Sequence, residues 1–190
     1  MSLTTLDIKE PGLNILPPGV ERYVVEGGGL TGIQILPDDE IEIINNEGNQ
    51  LCEISVFNKD GKSDLAILGL KEIKENSEIK KILFKKDETS LQALLQLKKR
   101  NLNIEKSKSS LIFDKETKAG EIIKLKSKDK CYCIFAAPGE KMMVHEQNPS
   151  TELTVIVKRS VIKKDKEFSL IPDPVYDPSN EINIERTTAN

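Results

Sequence analysis

Apolar positions recur at every second residue along much of the chain. In "EIEIINNEGNQLCEISVF", residues 40–57, Ile41 and Ile43 alternate with Glu40 and Glu42, and a second apolar run from Leu51 to Phe57 follows a polar centre. Period-two alternation marks a strand with one face buried. The same reading places strands at Val20 with Tyr23 to Val25, and at Ile33 to Leu36. A second group falls at Ser110 to Phe113, Glu121 to Leu125, Cys131 to Ala137 and Leu153 to Val157. The breaks between them are rich in Gly, Pro, Asn and Asp: Gly27 to Gly29, Pro37-Asp38-Asp39, Asn45 to Asn49 and Lys59-Asp60-Gly61. Residues 45–49 have the chemistry of a hairpin turn, because Asn tolerates the left-handed region and Gly48 permits positive φ. The three glycines 27–29 read as a flexible turn; no GK[ST] follows them to make a phosphate cradle.

The period changes after Leu65. "LAILGLKEIKE" fits either a short helix or a buried strand, with Gly69 weakening the helix. "TSLQALLQLKKRN" predicts one clear α-helix near residues 90–100. Thr89 and Gln92 have capping-box spacing, Leu91, Leu94, Leu95 and Leu102 form the expected packing face, and Lys98 to Arg100 suit the negative end of the helix dipole.

The pattern therefore predicts a mainly β protein, a sandwich or distorted barrel, with one clear helix. Residues 1–19 read as an irregular arm and 20–160 as the β-rich domain. Residues 161–180 read as a Pro-rich linker, and 181–190 as the truncated start of a further element. The two strand groups echo each other at an offset of 81: Glu40-Ile41 with Glu121-Ile122, and Cys52 with Cys133. This echo predicts two hairpins facing each other.

Charge divides the chain unevenly. Residues 1–70 carry a net −8 and residues 71–130 a net +7. The basic stretch is nearly all Lys, with Arg100 its only Arg and Phe84 and Phe113 its only aromatics. Nucleic-acid sites want Arg forks and stacking rings, so the Lys excess reads as a solvated face with no nucleic-acid partner. No apolar run reaches the roughly 20 residues of a membrane span. Three Cys, an odd count beside a start with no export signal, read as reduced thiols in a cytoplasmic protein.

Candidate chemistry is sparse. His145, in "GEKMMVHEQNP", is the only His, and a loop position serving no catalytic role is its simplest account. Cys131 and Cys133 share one face of a strand. With Cys52 and His145 they could complete a three-cysteine, one-histidine site, but the C-x-C spacing is not that of a zinc knuckle, so the cysteines are assigned to the core and no metal is expected. Gln50 stands out, since a side-chain amide beside a turn can position a small polar ligand. Gly48, Gln50 and Glu53 are therefore the candidate ligand-binding residues. Gln50 and Glu53 converge only if a bulge near Leu51 intervenes.

Two resemblances add to this reading. "DDEIEIINNEGNQLCEISVFNKDG" resembles the opening motif of the urea carboxylase-associated family: Glu47-Gly48-Asn49-Gln50 match its centre and Phe57-Asn58 its end. Asn45, Asn46 and Glu53 stand where that family has Asp. The wider order, with "AAPGEKMMVHEQNPSTELTVIVKR" at 136–159, is similar to the N-terminal region of long bacterial proteins that end in a glycine-cleavage T-type aminomethyltransferase domain. The resemblance implies a non-catalytic accessory or small-ligand-binding domain whose partner is the remainder of a multidomain chain. It implies no cofactor in this chain, and tetrahydrofolate as a cofactor open to the parent. The rival readings are an independent metal-dependent enzyme of the urea carboxylase-associated kind and an interaction or oligomerisation module.

Overall fold

The computed structural model describes residues 16–73, 77–85, 87–139 and 150–160. These residues form eight strands: β1 (Val20–Val25), β2 (Leu30–Ile35), β3 (Glu40–Asn45), β4 (Cys52–Asn58), β5 (Ser109–Phe113), β6 (Glu121–Lys126), β7 (Cys131–Ala136) and β8 (Leu153–Lys158). They form two four-stranded sheets with orders β1-β8-β3-β6 and β2-β7-β4-β5, and every pairing is antiparallel. The mainly β fold and the eight apolar runs read from the sequence are therefore present. The strands make an open two-sheet sandwich, not a closed barrel. Consecutive strands alternate between the sheets except at β4 and β5, and this is the strand order of a jelly roll.

That order corrects the expected hairpins. β3 and β4 lie in different sheets, so residues 46–51 cross the end of the sandwich as a corner. Polar turn chemistry serves both connections equally well, and the local sequence cannot separate them. The echo at 81 residues has another meaning: it relates β3 to β6 and β4 to β7, which are direct neighbours, with Ile41 opposite Leu125 and Val56 opposite Cys133.

The two sheets differ in what covers them. In β3, Ile41, Ile43 and Asn45 are buried between the sheets while Glu40, Glu42 and Ile44 face outward and are less buried. β4 is buried on both faces. Cys52, Ile54 and Val56 enter the core between the sheets, with Val25, Ile35, Phe135 and Val155. Phe57, on the opposite face, joins Ile79, Leu83, Leu102, Ile104 and Ile134 in a second core. That second layer comes from the connection between β4 and β5. It contains a 3₁₀ turn (Leu65–Leu68), α1 (Glu78–Leu83) and α2 (Glu88–Lys99). Gly69 ends the 3₁₀ turn in the left-handed region, at φ 70°.

The long helix differs from expectation in its start and its packing. Asp87, not Thr89, is the N-cap: its carboxylate accepts from the Ser90 N–H at 2.7 Å. Ala93, Leu94 and Leu97 pack inward, only partly buried, whereas Leu91 and Leu95 are 51% and 58% exposed. Apolar residues at 91, 93, 94, 95 and 97 wrap more than half of the helix, so spacing alone left two faces open. α1 was not predicted; Ser77, whose hydroxyl accepts from the Lys80 N–H, is its start signal. Among the described residues no helix is long and apolar enough to cross a membrane. The expected linker at 161–180 and the element at 181–190 lie outside the described residues, as does most of the expected arm.

Candidate functional site

The corner after β3 is built from backbone demands first. Gly48 has φ 79°, and a Cβ there would lie 2.6 Å from the Ala119 nitrogen. The corner can press on the β5–β6 turn only because residue 48 lacks a side chain. Asn49 follows at φ 57°, a conformation Asn tolerates, and its N–H donates to Thr117 O at 2.8 Å. Gly120 N–H donates back to Asn45 O at 2.7 Å. Asn45, fully buried, then closes the loop on itself: its Nδ2 donates to Gln50 O at 2.8 Å, and its Oδ1 accepts from the Gly48 N–H at 3.0 Å.

Gln50 is 5% exposed, and its amide is fully engaged within the protein. Nε2 donates to Leu51 O and to Pro138 O, both at 3.0 Å, and Oε1 accepts from the Thr151 N–H at 2.7 Å. The side chain thus ties the corner to residues just after β7 and just before β8. Nearby, Gly27 and Gly28 fit against Ser150, a Cβ on Gly27 lying 2.2 Å from the Ser150 carbonyl oxygen, while a Cβ on Gly29 would lie 3.1 Å from Glu26 O. The triple glycine is a close-approach device, which agrees with its reading as a turn.

Glu53 points elsewhere. An irregularity does interrupt the ladder beside Leu51, between Cys52 and Glu53, where β5 carries Ile112 as its extra residue. It does not bring Gln50 and Glu53 together. Glu53 is 1% exposed; its Oε2 accepts from the Glu78 N–H at 2.6 Å, and its Oε1 accepts from the Ser77 hydroxyl. Ser77 in turn touches Ser109 at 3.0 Å, and Ser109 touches Ser55 at 2.9 Å. The carboxylate supports the start of α1, where N–H groups lack helical partners and the dipole favours a negative charge.

The thiols are buried and free. Cys131 and Cys133 share one face of β7, with sulfurs 3.8 Å apart, and Ser127 Oγ lies 3.7 Å from Cys131 Sγ. The hydrogen bond between the pair holds the Cys131 thiol below its usual range and pushes Cys133 up. Burial pushes Cys52 well up. Among the described residues no three His, Cys, Asp or Glu side chains gather as metal ligands. His145 lies outside those residues.

Two features escaped sequence reasoning. One is a clasp at the far end of the sandwich. Arg159 donates to Asp39 Oδ2 at 2.7 Å, to Gln34 O at 2.9 Å and to Glu21, which also accepts from the Tyr23 hydroxyl at 2.6 Å. Its partners lie 120 and 138 residues away in sequence, and no local signal marks them. The other is a cavity of about 290 Å³ between the outer face of β2 and β7 and the helices, with Leu30, Ile134, Leu83 and Leu97 among its lining residues.

The arrangement is thus a jelly roll with a helical layer, whose polar corner is committed to holding the fold. No protein-family model matches the chain. It is similar to the trimethylamine-oxide aldolase of Ruegeria pomeroyi, 35% identical over 183 residues, a match covering 96% of this chain and 23% of that protein. The chain spans about a quarter of the length of the curated relative it matches.

Proposed function

We propose that this chain is a non-catalytic accessory domain of a larger protein akin to trimethylamine-oxide aldolase. The observation that carries the reading is the match itself: nearly the whole chain aligns with less than a quarter of the relative. The corner supports it. Gln50 and Glu53, the side chains most like ligand-binding groups, spend their polar atoms on Pro138, Thr151, Ser77 and Glu78. The likeness of Glu47-Gly48-Asn49-Gln50 to the urea carboxylase-associated motif then describes a way of folding a corner. On the same reading, aminomethyl transfer and its tetrahydrofolate belong to the remainder of the parent. A cavity of about 290 Å³ sits just below the roughly 300–1,000 Å³ of ordinary ligand pockets, small for a pterin joined to a glutamate.

The test is turnover by the purified 190-residue chain. Trimethylamine oxide, with and without tetrahydrofolate, is followed by proton NMR, and no consumption is expected. Consumption that disappears in Gln50→Ala, with the variant still folded, overturns the accessory reading. Stoichiometric metal in that active protein would favour the independent metal-dependent enzyme.

A further inference from the structure

Gly32 has no reason in the fold to be glycine. It is the single glycine inside a strand among the described residues. Every other described glycine has a positive φ or a neighbour within 4 Å of where its Cβ would be; Gly32 has neither. A glycine in a strand interior weakens the strand, and where neither conformation nor packing demands it, it marks a place that something else approaches. Gly32 lines the cavity between β2 and α2.

The lining explains what could approach. Leu30 and Ile134 from the sheet and Ala93 and Leu97 from α2 make its walls apolar. The polar lining includes Gln96, in the last turn of α2, and Arg100, the C-cap that follows it. Among the described residues neither side chain has a hydrogen-bond or ion-pair partner. This Arg is the exception in a segment whose other cations are Lys. A guanidinium presents a planar fork that a carboxylate matches with two parallel hydrogen bonds. One such cation beside apolar walls suits a monoanion better than a phosphate dianion.

We propose that this cavity binds a small monocarboxylate with an apolar body. The carboxylate pairs with Arg100 beside Gln96, and the hydrocarbon lies in the space left open over Gly32. The site is separate from the Gln50 corner, and the inference stands whether or not the accessory-domain reading holds.

The test is calorimetric titration of the whole chain with octanoate, with octanol and octylamine as uncharged and cationic matches of the same body. Saturable octanoate binding is expected, with Arg100→Gln weakening it about tenfold or more, towards the level of octanol. Gly32→Leu, which fills the space, should abolish binding while leaving the melting temperature within a few degrees of the parent. Arg100 is exposed, so its variant keeps the test decisive if Gly32→Leu does not fold. No saturable heat at millimolar octanoate overturns the proposal. So does octanol or octylamine binding as tightly as octanoate, or unchanged binding in both variants.

Discussion

Gln50 accepts a hydrogen bond from the Thr151 N–H at 2.7 Å, a contact that spans 101 residues of sequence. The same amide donates to Pro138 O, 88 residues away. One side chain therefore fixes the exit from β7 and the entry to β8 at once. Gln50→Ala should leave three backbone groups, Leu51 O, Pro138 O and the Thr151 N–H, without this partner and cost about 1–3 kcal/mol for each that water cannot reach. Urea unfolding measures this, and a loss below about 0.5 kcal/mol, the range of surface changes, would show the clamp to be idle.

Gly48→Ala tests the same corner from the backbone side. The left-handed conformation alone costs an L-residue about 1–2 kcal/mol. A Cβ 2.6 Å from Ala119 N forces a further shift of the β5–β6 turn. Asn49→Gly, at φ 57° but exposed, should be close to neutral. Equal stability of Gly48→Ala and the parent would refute the close docking of the two turns.

The corner also shows where the sequence was informative and where it was silent. Apolar runs bounded by turn residues marked all eight strands, since a strand must bury at least one face whatever it pairs with. They could not tell a corner from a hairpin, because pairing is decided by strands about 80 residues on. Gln50 was singled out for an amide that could position a ligand. An amide aimed at a ligand and one aimed at distant carbonyls are the same residue in a sequence. α2 was legible as a helix, but with apolar residues on most of its surface its buried side was not. Gly32 gave no signal, since its meaning is the empty space beside it.

Acid should loosen the Arg159 clasp. The hydrogen bond from Arg159 holds Glu21 below the usual carboxylate range. Burial works to raise Asp39, but the N–H groups of Ser160 and Leu36, with Arg159, outweigh it and hold Asp39 low. Between these depressed values and the ordinary carboxylate pKa of about 4, the folded protein binds fewer protons than the unfolded chain. The clasp's contribution is thus complete above that ordinary value and is lost as pH falls through the depressed ones. Arg159→Gln leaves Asp39, fully buried, without its cation and should cost about 3–5 kcal/mol near neutrality. The gap between variant and parent should narrow as pH falls below the ordinary carboxylate value; a gap constant with pH would argue against the linkage.

Helix α2 should respond unevenly to truncation. Leu91→Ala and Leu95→Ala touch exposed positions and should stay within about 0.5 kcal/mol. Leu94→Ala, on the partly buried side, should cost about 1–2 kcal/mol, less than a full core cavity. Leu83→Ala in α1, 1% exposed, should cost about 2–5 kcal/mol. Equal losses at Leu91 and Leu94 in denaturant unfolding would contradict the observed orientation.

The thiols give a probe of opening. Cys52, Cys131 and Cys133 are each 0% exposed, so Ellman's reagent should find none at neutral pH in the folded protein and three in guanidinium. Prompt labelling of one thiol under native conditions would show that β7 or β4 opens locally without global unfolding.

The strand order also has a consequence for the growing chain. β8 lies between β1 and β3, and β7 lies between β2 and β4. During synthesis, β1 thus waits for residues 153–158 before it has a neighbour in its sheet, and β2 waits for residues 131–136. Neither sheet closes in the order in which its strands are made. Such non-local pairing places folding in the millisecond-to-second range of β-sandwiches, and leaves Ile-rich edges bare while the polymer is still on the ribosome. β8 is a wedge on which the rest of its layer depends, and a nascent chain halted before Leu153 would offer those edges to chaperones or to other copies of itself.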